Sequence, residues 1–136
     1  MSDPRKTPRA NEALVRSWDI TIRRRHTGYG LDLWDLDLPK EMKAPLHEHG
    51  CPFFCILVDG WIENDYRRRR ISFHRFLNVY HPTGTVHSGV AGRHGARLLT
   101  VEIAPEWERS DEGFVKLQQS PAAIPFDDCA WLARRL

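Results

Sequence analysis

The sequence predicts an all-β chain, an antiparallel barrel or sandwich, with a short helix at its C-terminal end. Short apolar runs rich in β-branched and aromatic residues follow one another from Val15 to Ile103. Glycine, proline and charged residues separate them at the spacing of strands rather than of helices. A chain of 136 residues suits one domain and can bury a core without disulfide staples.

In chain order, residues 1–12 are polar with two prolines and read as a flexible tail. Residues 13–110 are the predicted barrel. Its first run is Val15–Ile22. Leu31–Leu38 follows, with leucines alternating against Asp32, Asp35 and Asp37; the alternation shifts at Trp34, which predicts a bulge there. Further strands are expected at Phe53–Val58, Trp61–Tyr66, Ile71–Tyr80, Thr85–Val90 and Arg97–Ile103. Asp59-Gly60, between two such runs, is a hairpin signal. In the last run Leu98, Thr100 and Glu102 share one face and Leu99, Val101 and Ile103 the other. Residues 111–136 form an extension, with a helix from about residue 127: Asp127 or Asp128 can cap it, and Arg134 and Arg135 fall in its last turn.

Hydrophobic residues make up 41% and charged residues 28%, as in ordinary globular chains. The net charge of +2 is too small to imply nucleic acid or an anionic membrane as a partner. The clusters Arg23–Arg25, Arg67–Arg70 and Arg134–Arg135 read as solvated turns or helix ends. Three cysteines, Cys51, Cys55 and Cys129, are an odd count that argues against a closed disulfide framework. No N-terminal apolar run is present, so neither a signal peptide nor a membrane span is expected, and a reducing cytoplasm is the expected location.

Chemistry concentrates in the histidines. His47 and His49 stand two apart, so on a strand both face one side while Glu48 faces the other. Pro82-Thr83-Gly84-Thr85-Val86-His87 is a proline–glycine turn that delivers a third histidine at the start of a strand. In a rolled antiparallel sheet that strand can lie beside the first pair. Three imidazoles converging on one point suit one divalent transition metal ion, zinc, nickel or iron, at about 2.0–2.2 Å. Imidazoles ligate only when neutral, so binding should weaken as pH falls through about 6.5.

The spacing resembles the two cupin motifs: His47, His49 and Gly60 match the first, and Pro82, Gly84 and His87 the second. The resemblance implies a cupin-type jelly-roll barrel with the three histidines inside it. The motif's glutamate is replaced by Phe53, the opening glycine of the second motif by Phe76, and its trailing asparagine by Ala91. The stretch from Ala44 to Trp107 is similar to the N-terminal sensory domain of AraC-type transcription regulators. Pro45–His49, Phe54–Gly60, Tyr80–Gly84 and Ile103–Trp107 carry that likeness, as does the ending Ala130–Leu136. In those regulators a helix-turn-helix domain follows; the resemblance therefore implies either a piece of such a regulator or a natural single-domain relative.

The resemblance favours a small-molecule or metal-sensing domain that regulates transcription through a partner domain, with a pocket lined by Phe53, Cys55, Leu57 and Glu102. A homodimer is expected, and no direct DNA binding by this chain alone. The alternative is a three-histidine, metal-dependent cupin enzyme of the dioxygenase or isomerase class; against it, no acid or base is evident beside the histidines, although Glu102 has the parity opposite to Val101 that an inward acid needs. Cys55 reads as a buried hydrophobe and Cys51 as a more exposed loop thiol. His81 reads as a hydrogen-bonding residue at the barrel rim, His26, His74 and His94 as solvated. Trp34, Trp61, Trp107 and Trp131 read as core or interface packing.

Overall fold

A computed structural model describes residues 18–28, 30–106 and 121–123. They form β1 (Thr21–Gly28), β2 (Leu31–Leu38), β3 (Lys43–Glu48), β4 (Phe53–Asp65), β5 (Arg70–Phe73), β6 (Asn78–His81), β7 (Val86–Ile103) and β8 (Ala122–Ala123). The strand order is β1-β2-β7-β4-β6-β8, with β3 also on β7 and β5 also on β4, all pairs antiparallel. Among the described residues no helix is long and apolar enough to cross a membrane. The tail at 1–12 and the helix expected from residue 127, with Cys129, Trp107 and Trp131, lie outside the described residues.

The two long strands make the barrel. β7 runs for 18 residues and β4 for 13. The second half of β7 lies between β2 and the first half of β4. Its first half lies between β3 and the second half of β4. Each strand thus passes from one wall of the barrel to the other, and it bends to do so. The bends lie where the β4–β7 register shifts: β4 has one extra residue between Leu57 and Asp59, and β7 has the extra residues, 92–95, opposite the step from Gly60 to Ile62. They switch the inward parity. In β4 the odd residues Phe53, Cys55 and Leu57 face in before the bend, and the even residues Ile62 and Asn64 after it. In β7, His87, Gly89 and Ala91 face in first, then Ala96, Leu98, Thr100 and Glu102.

Asp59-Gly60 is therefore the middle of a strand, not the hairpin its composition suggested. Its glycine serves a close backbone crossing. Gly60 has φ +84°, and a Cβ there would lie 2.3 Å from the Gly95 carbonyl oxygen. Gly95, at φ +77°, would bring a Cβ to 2.4 Å of the Leu38 carbonyl oxygen. The same bend joins Thr85–Val90 and Arg97–Ile103, expected as separate strands, into β7. Conversely, Ile71–Tyr80 is two strands, β5 and β6. A turn at 74–77 separates them, with Phe76 at φ 65° and its N–H donating to the Leu57 carbonyl at 2.6 Å.

The first strand also differs from expectation. Residues 15–17 of the expected run lie outside the described residues; the described strand spans Thr21–Gly28 and runs through Arg23–Arg25, which is an edge strand among the described residues and not a solvated turn. Its arginines pair with the aspartates of β2. Arg25 grips Asp32 through two hydrogen bonds of 3.1 and 2.9 Å, and Arg23 reaches Asp37. The bulge lies in β1, between Ile22 and Arg24, while β2 stays in register with β7 through Trp34. Arg67–Arg70 does sit at the turn from β4 into β5.

The interior packs Trp34, Leu36, Leu57, Phe73, Val79 and Leu98. Trp61, by contrast, is exposed. His81 is not a rim residue but fully buried. Asn64 donates to the Tyr66 hydroxyl at 3.0 Å, and that hydroxyl shares a hydrogen bond of 2.6 Å with His81 Nε2. Phe53 stacks on the imidazole with ring centres 4.1 Å apart. Burial holds His81 neutral and pushes it down to about 3.

Two predictions concern stability. On the outer face, Asp35 is buried, accepts two hydrogen bonds from Arg97 at 3.0 and 2.8 Å and lies 3.6 Å from Arg24. The Arg97 hydrogen bonds hold its carboxyl below the usual range despite its burial. Asp35→Asn should cost about 1–3 kcal/mol in urea unfolding at pH 7, and the gap from wild type should close as pH falls below 4, where an unfolded aspartate already takes up a proton. His81 is protonated in the unfolded chain below about 6.5 but in the folded chain only near 3. Its contribution is thus full above 6.5 and lost as pH falls from there toward 3. The melting temperature should drop across that interval, and His81→Gln should flatten the drop.

Candidate metal centre and cavity

The histidine geometry follows from how β3 meets β7. β3 is an edge strand, where Pro45 can be tolerated because its missing N–H faces no partner. The pairing is irregular between Ala44 and His47, and His47 then stands opposite His87. His49 lies just past the end of β3. The turn before β7 is closed by Thr85, whose N–H and Oγ1 both donate to the Pro82 carbonyl, at 3.1 and 2.7 Å. Gly84, at φ +81°, donates its N–H to the His49 carbonyl at 3.1 Å. The turn that delivers His87 is thereby tied to the segment that carries His49.

The ring nitrogens converge. His49 Nε2 lies 3.0 Å from His47 Nε2 and 3.1 Å from His87 Nε2. All three ligand atoms lie within 4.8 Å of one another. His47 Nδ1 donates to the Pro45 carbonyl at 2.7 Å, which leaves its Nε2 a bare lone pair aimed at the other two rings. Burial lowers all three imidazoles: His49, with His47 beside it, to about 3, His87 further, and His47 least because the Pro45 carbonyl partly offsets its desolvation. Neutral imidazoles with converging lone pairs are the form that ligates, and they persist below the pH of 6.5 expected for solvated histidine.

Aromatic rings fix these side chains. Phe53, where the motif's glutamate would stand, lies 4.4 Å from the His49 ring. Trp18 lies 4.7 Å from His47, and Tyr66 stacks on His87 at 5.6 Å. The Nδ1 of His87 is buried and accepts or donates no hydrogen bond within the protein.

The histidines border a cavity of about 110 Å³. Phe53, Cys55 and Glu102 line it, as their parity predicts. Leu57 does not: one step further along β4, it sits beside the bend and is packed wholly into the core. Cys51 is also corrected. It is buried, and its thiol donates to Glu102 Oε2 at 3.5 Å. Cys55 is a buried thiol pushed up to about 12 by desolvation. His26, His74 and His94 are exposed, as expected. Trp18 and Asn64 line the cavity without having been singled out from the sequence, and Trp34, read there as core or interface packing, and Thr100, placed there on the face of Glu102, line it too. For Trp34 the signal existed, since it shares parity with Leu36 and Leu38; for Trp18, in the segment before β1, none did.

No protein-family model matches the chain, and no curated protein matches it in sequence. Solved structures do match in fold. The cupin domain of Schizosaccharomyces pombe Cnp3 superposes with a TM-score of 0.57 at 13% identity, over 67% of this chain and 69% of that one. An HTH_3 family transcriptional regulator from Vibrio cholerae gives 0.55 at 13% identity, over 71% and 62%. The DMSP lyase DddQ from Ruegeria pomeroyi gives 0.52 at 15% identity, over 71% of this chain and 44% of that one. With its double-length, bent β4 and β7 and its inward histidines, this chain folds as a cupin β-barrel.

Proposed function

We propose that this chain is a small-molecule-binding cupin domain that holds one divalent transition metal ion, zinc, nickel or iron, on His47, His49 and His87. The convergence of three Nε2 atoms at the edge of a largely apolar cavity carries this reading. A bound ion supplies open coordination positions to a donor atom of the ligand. The protein's own part is to hold three neutral imidazoles in place and to enclose the ligand's apolar body beside Phe53 and Cys55. The likeness to AraC-type sensory domains supports a regulatory role, exerted through a partner domain or a second copy of the chain. Glu102 favours a second reading, an enzyme of the dioxygenase or isomerase class. Among the described residues it is the one carboxylate lining the cavity, within reach of the Cys51 thiol.

Metal analysis of protein purified without added metal tests the site. Near-stoichiometric metal is expected in wild type and its loss in a His47→Ala, His87→Ala variant. Occupancy should hold from pH 8 to 6.5 and fall on further acidification, because protons compete only below the ordinary histidine range when burial lowers the imidazoles. Equal occupancy in the wild type and the double variant would rule the site out.

The isolated chain should not bind a specific DNA duplex. No recognition helix occurs among the described residues, and a net charge of +2 gives little counterion release. A salt-resistant, sequence-selective gel shift would contradict this. Dimer formation is read by size exclusion, where strictly monomeric elution at high concentration would remove the homodimer.

A further inference from the structure

His47 and His87 are held in different ways. His47 donates its Nδ1–H to the Pro45 carbonyl at 2.7 Å, which fixes both its tautomer and its ring. His87 Nδ1 is buried and makes no hydrogen bond of that kind among the described residues. A ligating imidazole without an outer hydrogen bond can tilt or turn about its Cβ–Cγ bond, and either movement carries Nε2 away from the other two nitrogens. Packing must therefore hold this ring. Phe53, Tyr66 and His81 are the aromatic neighbours of His87 outside the three-histidine set. Phe53 and His81 stand at 37° and 41° to the imidazole, whereas Tyr66 lies nearly parallel to it, at 21° with ring centres 5.6 Å apart. A parallel face resists turning most directly, because any turn drives an edge of one ring into the face of the other.

Tyr66 is itself immobilised at both ends. It follows the last residue of β4, and its N–H donates to the Arg69 carbonyl at 2.9 Å while its own carbonyl accepts from the Arg68 N–H at 2.8 Å. The turn into β5 thus fixes its backbone. At the other end its hydroxyl accepts from Asn64 at 3.0 Å and shares the 2.6 Å hydrogen bond with His81 Nε2. Tyr66, Asn64 and His81 are all buried. Buried polar side chains tied to one another rigidify their surroundings, and here the part made rigid is one aromatic face turned to His87. We infer that Tyr66 is a positioning residue of the metal centre: its ring, anchored by Asn64 and His81, holds the His87 imidazole in the ligating orientation by stacking, in place of an outer hydrogen bond. This inference rests on the three-histidine metal reading above.

Cobalt(II) is titrated into the wild type, Tyr66→Phe and Tyr66→Leu, with visible absorption reporting coordination and melting temperature reporting stability. Tyr66→Phe keeps the ring and loses the hydroxyl's hydrogen bonds. Its melting temperature should fall, while its cobalt affinity and visible bands stay close to those of wild type. Tyr66→Leu loses the ring. Cobalt should bind it about three- to tenfold more weakly, as the loss of one aromatic stack implies, and the visible bands should shift as the imidazole leaves its orientation. A merely structural role would lower the melting temperature of both variants and leave affinity and bands unchanged. That result overturns the inference and leaves the metal site standing, as does a Phe variant as damaged in affinity and bands as the Leu variant. Failure of cobalt to bind the wild type overturns both. Proton NMR of the wild type gives a test that needs neither variant to fold. Contacts between the Tyr66 and His87 ring protons should be present in the metal-free chain and persist when zinc is added; their absence, or their loss on adding zinc, overturns the inference.

Discussion

Everything in this barrel hangs on one backbone crossing. Gly60 of β4 lies against the carbonyl of Gly95 in β7, and Gly95 in turn lies against the carbonyl of Leu38 in β2. Three strands meet there with no room for a Cβ, and both glycines have positive φ. The crossing lets two strands serve two walls. It is also the point where inward parity switches, so that one strand, β7, presents His87 from one wall and Glu102 from the other to the same cavity. Without the switch, one of the two would face solvent.

That switch explains what was legible in the sequence. Period-two alternation held within each half of β4 and β7, and the inward sets Phe53, Cys55 and Leu98, Thr100, Glu102 could be read from it. Across the bend the alternation breaks, and a break between apolar runs with Asp-Gly at its centre is indistinguishable from a hairpin. The long strands were consequently divided. The edge strand β1 was hidden for a different reason: an edge strand need not bury its side chains, and Thr21–Gly28 carries arginines where hydrophobes signal a strand.

The site shows the same division. His47, His49 and His87 were legible because a same-face pair and a proline–glycine turn are local signals. The layer behind them was not, because it is assembled from distant segments. Phe53 stacks on His81, Tyr66 bonds to His81 and stacks on His87, and the Cys51 thiol turns in toward Glu102. The replacement of the motif's glutamate by Phe53 is more than a lost ligand. The ring lies against both His49 and His81, so the position exchanges a charge for an aromatic bracket and leaves the three-histidine cluster, among the described residues, with imidazoles alone.

The arginine-bearing edge has a consequence for how the chain behaves at high concentration. An open strand edge is a template on which another molecule's strand can grow, and such growth leads to fibrils. On β1 the approaching strand would meet Arg23, Arg24, Arg25 and His26 in succession, all at the margin of the sheet. Arg23 and Arg25 are paired with Asp37 and Asp32 of β2, which locks the strand's register, while Arg24 between them is 79% exposed and turns its charge toward an added copy. Among the described residues β1 has no further strand beside it, and the arginine cluster that fastens this margin to the barrel thereby disfavours cross-β addition there.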